Sequence, residues 1–229
     1  MRQELERVES EIQWHDHPDY TVATTGDWKA VALLSAASAD HRDPESLRYR
    51  GHGTPEPTAV LRQCPYLLEV IGAFKTDVHR ARLMNLRPGT KISEHRDYGA
   101  QRYSLERGFI RVHLPVRTHE DVHFWISRKR IPMQVGEAWY TNVCEPHAVQ
   151  NNSTVHRVHL VLDMKVNDWV LSLFPPLSIA DRVRGVILRA CEPTFMNMRL
   201  EARRIMGAAR KFIGDIGGRE LKRRLTSLG

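Results

Sequence analysis

Residues 81–97, ARLMNLRPGTKISEHRD, mark the point at which the sequence changes to short β-type runs separated by turn residues. The apolar run at the start is followed by Pro88-Gly89-Thr90, a combination typical of a turn. Several short strands at this spacing predict a β-sandwich or a barrel, so the middle of the chain should be mainly β. The runs are Ala81–Leu86, Ile110–Val116, Val122–Ile126, Ala138–Val143 and Arg157–Met164.

The segments on either side of this β core have a different pattern. The opening residues predict a short charged helix, Trp28–Ala37 fits either a strand or a helix, and Pro65–Phe74 predicts a buried helix. Helical spacing of apolar residues returns at Ile179–Ala190 and Met196–Ile216. We therefore expect a helical and extended N-terminal segment that packs on the barrel, a β core and a basic helical tail. Their expected bounds are 1–79, 80–170 and 171–229.

The charge is distributed unevenly along the 229 residues. Lys and Arg number 34 and Asp and Glu 27, a formal net charge of +7. Residues 1–175 hold 22 basic and 22 acidic side chains, whereas residues 176–229 hold 12 and 5. The excess belongs to the tail, which argues against nucleic acid as the substrate of the body. We expect the tail to pack on the barrel or on a sister subunit, or to dock an acidic carrier or partner protein; the oligomeric state stays open.

Cysteine usage and the N-terminus predict a cytoplasmic protein. Cys64, Cys144 and Cys191 are far apart and form no CxxC pattern, so a disulfide framework or a thiolate zinc site is not expected. The first fifteen residues mix acids and bases where a signal peptide needs an apolar stretch. No apolar run approaches the roughly 18 residues that a membrane span needs.

The residues that point to chemistry begin with His95-Arg96-Asp97. In an extended strand, side chains two residues apart face the same side, so His95 and Asp97 offer a nitrogen and an oxygen to one point. His147 lies 50 residues beyond Asp97, a separation that lets a later strand return beside the first. Two histidines and one carboxylate can hold iron(II) and leave positions open. Arg157 could clamp the distal carboxylate of a small diacid; a turn that holds H-x-D by chance, and an ion pair for Arg157, are the alternatives.

Five motifs in this region resemble one family. The stretch from Arg82 to Trp169 is similar to the aspartyl/asparaginyl β-hydroxylase-like branch of the iron(II)- and 2-oxoglutarate-dependent dioxygenases, a branch that includes bacterial proline cis-4-hydroxylases. The order and spacing of the motifs carry the resemblance. They are LRPGTKISEHRDYG at 86–99, FIRVHLPV at 109–116, GEAWYTN at 136–142, PHAVQN at 146–151 and RVHLVLDMKVNDW at 157–169.

The resemblance implies a fold, a set of cofactors and a role for each site residue. The fold is a double-stranded β-helix, the jelly-roll or cupin-type barrel, and the cofactors are Fe(II), the cosubstrate 2-oxoglutarate and O2. It implies that His95, Asp97 and His147 hold the iron. It also implies that Arg157 binds the C5 carboxylate and His113 the C1 carboxylate of 2-oxoglutarate, and that Arg111 binds a substrate carboxylate. An internal bridge from Arg111 to Asp or Glu is the alternative.

The expected reaction is hydroxylation of an unactivated C–H of an amino acid or an amino-acid-derived carboxylate, with release of CO2 and succinate. An amino-acid residue in a peptide or a carrier-bound precursor is the alternative substrate. Arg82 and Arg102 are further candidates for the substrate pocket, and Tyr98–Gly108 is a candidate lid. A hypothesis of another class is a non-catalytic cupin-like binding or regulatory module whose basic tail contacts nucleic acid.

Overall fold

Two antiparallel β-sheets form the body of the protein. The computed structural model describes residues 1–17, 23–47, 54–97, 104–183 and 185–187. The larger sheet contains β1 (His15–Asp16), β3 (Trp28–Ser35), β4 (Glu56–Pro57), β5 (Val78–Leu86), β7 (Phe109–Arg117), β10 (Trp139–Thr141) and β12 (Arg157–Lys165). The smaller sheet contains β2 (Thr24–Thr25), β6 (Lys91–His95), β8 (Val122–Ile126), β9 (Lys129–Arg130) and β11 (His147–Asn151).

The strand order places residues that are far apart in sequence side by side. In the larger sheet it is β1-β3-β5-β12-β7-β10, with β4 on the edge of β3, and in the smaller sheet it is β2-β6-β11-β8-β9. β12 is the central partner, since it pairs along its length with β5 on one side and β7 on the other. The last strand therefore brings its side chains between those of two earlier strands.

The two faces of the larger sheet have different chemistry. Successive side chains of a strand point to opposite faces, and β7 and β12 alternate accordingly. The apolar set, which includes Val112, Leu114, Leu160 and Leu162, joins the core that Leu5 of the first helix helps to form. The other set, which includes Arg111, His113, Arg157, His159 and Asp163, faces the smaller sheet. Within the described part of the chain, four helices have complete bounds, α1 (Arg2–Glu11), α2 (Ala59–Arg62), α3 (Pro65–Gly72) and α4 (Asp168–Ser172), with 3-10 turns at Pro44–Leu47 and Leu105–Arg107. Residues 179–183 and 185–187 are also helical, within the helical run expected at Ile179–Ala190.

A second apolar cluster fills part of the space between the sheets. Leu86 of the larger sheet packs there with Ile92, Phe124 and Val149 of the smaller one. This cluster holds β6 and β11 against the inner face of the larger sheet. The arrangement positions the polar inner-face residues beside the ends of two strands of the smaller sheet.

The structure confirms the predicted mainly β, jelly-roll or cupin-type architecture with accompanying helices. Of the run Trp28–Ala37, which fitted either element, it assigns Trp28–Ser35 to strand β3. Because β3 pairs with β5, the larger sheet contains strands from both sides of the expected boundary at residues 79 and 80. By its contacts the chain forms two compact units, Met1–Asp181, which contains both sheets, and Arg182–Gly229; the expected segment bounds stay a prediction. The expected helix Met196–Ile216 lies outside the described residues.

Membrane insertion finds no support among the helices that the structure describes. None of them is both long enough and apolar enough to cross a membrane.

Candidate active site

Three side chains with metal-binding atoms meet where β6 and β11 pair. His95 ends β6, His147 begins β11, and the two residues are register partners. Asp97 lies just beyond β6, where its backbone N–H donates to the carbonyl oxygen of Val143 at 3.0 Å. The ligand atoms of the three residues all lie within 4.8 Å of one another. One metal ion can therefore contact all three.

Backbone carbonyl groups orient both imidazoles. Nδ1 of His95 donates to the oxygen of Ser93 at 2.8 Å, and Nδ1 of His147 donates to the oxygen of Glu145 at 3.0 Å. A carbonyl oxygen only accepts, so both neutral rings carry their proton on Nδ1 and present the Nε2 lone pair. These Nε2 atoms lie 3.4 and 3.8 Å from Oδ1 of Asp97. Two nitrogens and one oxygen that converge in this way match the donor set of a 2-His-1-carboxylate site.

The two carboxylate oxygens of Asp97 face different partners. Oδ1 faces the two histidines, whereas Oδ2 accepts a hydrogen bond from NH1 of Arg111. Burial opposes ionisation of Asp97, but the pKa of the carboxyl still lies below its ordinary value, chiefly because of the charge of Arg111. Asp97 is therefore an anion that can coordinate a metal through one oxygen while Arg111 fixes the other.

Asp163 of β12 lies at the centre of three arginines. Arg80 contacts its Oδ2 at 2.7 Å, Arg82 contacts the same oxygen at 3.4 Å, and Nε of Arg111 donates to Oδ1 at 2.7 Å. Asp163 is 1% exposed. Burial opposes its ionisation, yet the three guanidinium groups hold the pKa of the carboxyl far below its usual range. Arg111 thus forms the internal bridge that the sequence left open as the alternative to binding substrate.

Arg157 has the opposite kind of surroundings. It is 2% exposed, and no carboxylate lies within ion-pair distance of it among the residues that the structure describes. Its NH2 donates to Nδ1 of His159 at 2.8 Å, so His159 carries its proton on Nε2. Within the described ranges of the chain, the buried Nε of Arg157, Nε2 of His159 and Nδ1 of His113 find no hydrogen-bond partner. Burial lowers the pKa of Arg157 to about 9, which still leaves it a cation at neutral pH.

Aromatic contacts connect this buried cation to the metal-binding cluster. The ring of His147 stacks with Phe124, His113 meets Phe124 edge to face, and the rings of His113 and His159 lie 5.7 Å apart. A small diacid could therefore extend from the three ligands past His113 towards Arg157. The unpartnered donors Nε–H of Arg157 and Nε2–H of His159 are the groups that a carboxylate would satisfy.

The remaining predicted residues have varied placements. Arg82 is buried, where it contacts Asp163 and Nε2 of His17. Arg102 lies outside the described residues, as do the first six residues of the candidate lid Tyr98–Gly108. The basic tail after residue 187 does too, so its partner stays a prediction. Gly89 has a φ of +79° and lies in the turn between β5 and β6, as Pro88-Gly89-Thr90 predicts.

Sequence reasoning missed two residues of this site. Asp163 falls within the predicted run Arg157–Met164 without being singled out, and His17 is not among the candidate residues. His17 in fact stacks on Trp28, with ring centroids 3.7 Å apart and planes 8° from parallel. The alternation of β12 could have indicated Asp163, because it shares the face of Arg157 and His159. The position of His17 follows from the pairing of β1 with β3, which no local signal predicts.

The site thus combines three side chains whose donor atoms could hold a metal ion with a buried cation on a jelly-roll scaffold. The family model described as aspartyl/asparaginyl β-hydroxylase matches residues 1–166. The chain belongs to this family, which confirms the resemblance found in the sequence.

Individual relatives are more distant. The chain is 25% identical over 149 residues to the L-proline cis-4-hydroxylase of Rhizobium meliloti, a match that covers 64% of this chain and 50% of the relative. The chain therefore spans about half the length of that enzyme. Among solved structures, a 2OG-Fe(II) oxygenase family oxidoreductase from Burkholderia pseudomallei is 12% identical, with a TM-score of 0.43 over 72% of this chain and 79% of its own. A predicted oxalate decarboxylase from Thermotoga maritima is 14% identical, with a TM-score of 0.38 over 69% and 96%.

Proposed function

We propose that this protein is an iron(II)- and 2-oxoglutarate-dependent oxygenase that hydroxylates an unactivated C–H of an amino acid or an amino-acid-derived carboxylate. One observation carries the proposal. The two Nε2 lone pairs and Oδ1 of Asp97 converge, and a series of ring contacts leads from His147 to the buried pair of Arg157 and His159. Two N–H donors of that pair have no acceptor among the described residues. A site that only bound a metal would gain nothing from burying such a cation.

The residues present fit both groups that the family uses. His95, Asp97 and His147 would hold iron(II), since their donor set is that of the 2-His-1-carboxylate sites. Arg157 would bind the distal carboxylate of 2-oxoglutarate, and the donors of His159 and His113 lie beside it. When bound, iron(II) and 2-oxoglutarate supply with O2 the oxidising power for hydroxylation, and CO2 and succinate are released.

The residues around the triad have three roles, one of which is carried by backbone carbonyl groups. Ser93 and Glu145 fix the histidine tautomers through their carbonyl groups, and Arg111 fixes Asp97. Arg157 orients the diacid along the axis between itself and the triad. Phe124, 5% exposed, excludes water from the space beside His147 and His113. The fixed orientation of these groups and the exclusion of water together favour reaction with the substrate over turnover without it.

The test is succinate release with a panel of free amino acids, read together with the mass of the product. We expect iron- and 2-oxoglutarate-dependent succinate formation and a product heavier by one oxygen atom. His147→Ala should abolish both, while His123→Ala, on the opposite face of β8 from Phe124, should keep both. Wild-type turnover by His147→Ala would refute the assignment of the ligands. Activity on peptide or carrier-bound material alone would identify the other substrate class.

A further inference from the structure

His17 and Trp28 form a stacked pair that the proposed reaction does not yet use. His17 lies directly after β1, and its backbone N–H donates to the carbonyl oxygen of Trp28 at 3.0 Å. The rings lie nearly parallel, with centroids 3.7 Å apart. Each residue as a whole is half-buried. Since each ring covers a face of the other, the polar groups of the pair are the nitrogens on the ring edges.

Arg82 determines which edge atom of His17 carries the proton. Its NH1 lies 3.2 Å from Nε2 of His17. A guanidinium group only donates, so Nε2 accepts and the neutral imidazole carries its proton on Nδ1. Burial, followed by the charges of Arg82 and two other arginines, lowers the pKa of His17 well below its ordinary value, in agreement with a neutral ring.

The small side chains of β3 explain how Arg82 reaches His17. Arg82 on β5 is the register partner of Ala32, and Met84 is the partner of Ala30. His17 lies beyond β3, next to Trp28. The two alanines are fully buried and occupy little volume, which leaves space for the long side chain of Arg82 to cross β3 on the inner face.

Two N–H donors of the stacked pair lack an acceptor. Nδ1 of His17 and Nε1 of Trp28 are shielded from solvent, and neither has a hydrogen-bond partner in the described part of the chain. Buried donors without acceptors are costly and are uncommon in folded proteins. Both atoms only donate here, so the group that would satisfy them must bring acceptor oxygens.

The pair also lies near the metal-binding cluster. His17 is close enough to Asp97 and Arg111 for their charges to act on its pKa. Trp28 packs against both apolar clusters of the inner face, the one around Met84 and Val161 and the one around Leu86 and Phe124. A ligand at the ring edges of His17 and Trp28 would therefore meet an apolar wall and two neutral N–H donors. The triad faces the same interior between the sheets.

We propose that the ring edges of His17 and Trp28 bind the carboxylate of the substrate and so determine specificity for a free carboxylic acid. The inference rests on the proposed function, because it names the group that holds the substrate of that reaction. Arg111, which bridges two aspartates, is then a positioning residue for Asp97. The carboxylate of the substrate binds instead where Arg82 contacts His17, and not where it contacts Asp163.

The test compares acids with their carboxamides on the anaerobic protein loaded with Fe(II) and 2-oxoglutarate. The probes are L-proline, L-aspartate and the corresponding α-carboxamides, and calorimetry gives the Kd of each. His17→Phe keeps the stack and removes both ring nitrogens, and Trp28→Phe removes only the indole N–H. Hydrogen bonds to a charged group predict a Kd for the acids that rises about 10–100-fold in His17→Phe. We expect the Kd of the carboxamides and of 2-oxoglutarate to change less than about 3-fold.

The control is His123→Phe, because His123 also contacts a tryptophan, Trp125, at a centroid distance of 5.2 Å. It should leave every Kd unchanged. Should His17→Phe not fold, as judged by thermal unfolding, Trp28→Phe carries the same comparison. The carboxylate site is refuted if His17→Phe weakens the binding of acids and carboxamides equally, or weakens the binding of neither. It is also refuted if the wild type binds none of the acids. If the protein binds the acids but releases no succinate, the proposed reaction is refuted and the carboxylate site at His17 and Trp28 stands. If His17→Phe releases succinate as the wild type does, the carboxylate site is refuted and the proposed reaction stands.

Discussion

Arg111 holds Asp97 by the carboxylate oxygen that faces away from the two histidines. Its NH1 donates to Oδ2, while Oδ1 faces Nε2 of His95 and of His147. The same guanidinium contacts Asp163 through Nε and NH2 at 2.7 and 3.3 Å. Arg111 therefore connects the metal-binding carboxylate to a buried anchor in the central strand. It gives Asp97 one orientation before a metal binds.

Replacing Arg111 by Met should weaken iron binding more than it weakens substrate binding. Loss of a partner that orients a metal ligand typically lowers metal affinity about 10–100-fold. An anaerobic Fe(II) titration against a chromophoric chelator measures this. Arg117→Met is the matched control, since Arg117 lies on the same strand and contacts Glu9 rather than a ligand. Wild-type iron affinity in Arg111→Met together with a raised KM for substrate would assign Arg111 to the substrate.

The sequence could predict those parts of the site that depend on local alternation. His95 and Asp97 are two residues apart, as are Arg111 and His113, and each pair faces one side as the strand period requires. The role of Arg111 could not be predicted, because its partner Asp163 is 52 residues away and meets it only through the pairing of β7 with β12. β6 and β11 do not stand out as apolar β-type runs, because their sequences, KISEH and HAVQN, contain few β-forming residues; only the strand expected at His95 and the later strand expected beside it point to them.

Replacing Asp163 by Asn should destabilise the fold strongly at neutral pH. Removal of one member of a buried ionic cluster typically costs about 3–5 kcal/mol, and here three arginines would lose their shared partner. The pKa of Asp163 is depressed in the folded state, so its contribution is complete above the unfolded pKa of about 3.9 and declines as the pH falls further.

Urea denaturation at several pH values measures both effects. The difference in free energy of unfolding between the wild type and Asp163→Asn should be largest near neutral pH and shrink below about pH 4. Arg96→Gln serves as a control, since Arg96 and Glu145 form a pair in which each side chain is more than a third exposed. A constant difference down to about pH 2 would contradict an ionised Asp163 as the source of the stability.

Replacing Gly26 by Ala should disturb the turn that leads into β3 and Trp28. Gly26 has a φ of +91°, and a Cβ there would lie 2.7 Å from Oγ1 and 2.9 Å from Cα of Thr90. The positive φ costs about 1–2 kcal/mol for a residue with a side chain, and the overlap with Thr90 adds about 1–3 kcal/mol. Gly136→Ala separates the two effects, because Gly136 has a φ of +90° and no described atom within 4 Å of such a Cβ.

Urea denaturation midpoints of the two glycine variants provide the comparison. Both should fall below the wild-type midpoint, and that of Gly26→Ala should fall further. Equal midpoints would mean that Thr90 moves aside without cost, and that the close approach does not fix this turn. Because the turn precedes Trp28, Gly26→Ala is also expected to perturb the fluorescence of the tryptophans more than Gly136→Ala does.

Replacing Arg157 by Met should change stability and ligand binding in opposite directions. Arg157 is a buried cation whose Nε has no partner and whose surroundings hold no carboxylate within ion-pair distance in the described chain. A buried charge without a counter-ion disfavours folding, so an apolar side chain of similar length should raise the free energy of unfolding of the protein without cofactors, on the order of 1–3 kcal/mol. The same change removes the cation for the distal carboxylate of 2-oxoglutarate, whose Kd should rise at least about 100-fold.

Thermal unfolding and anaerobic calorimetry measure the free energy of unfolding and the Kd of 2-oxoglutarate. Arg87→Met is the control: Arg87 forms an exposed pair with Asp27 at 3.1 Å, and its loss should change stability by less than about 1 kcal/mol and leave the Kd unchanged. A destabilised Arg157→Met protein that still binds 2-oxoglutarate as the wild type does would show that Arg157 supports the fold rather than the cosubstrate.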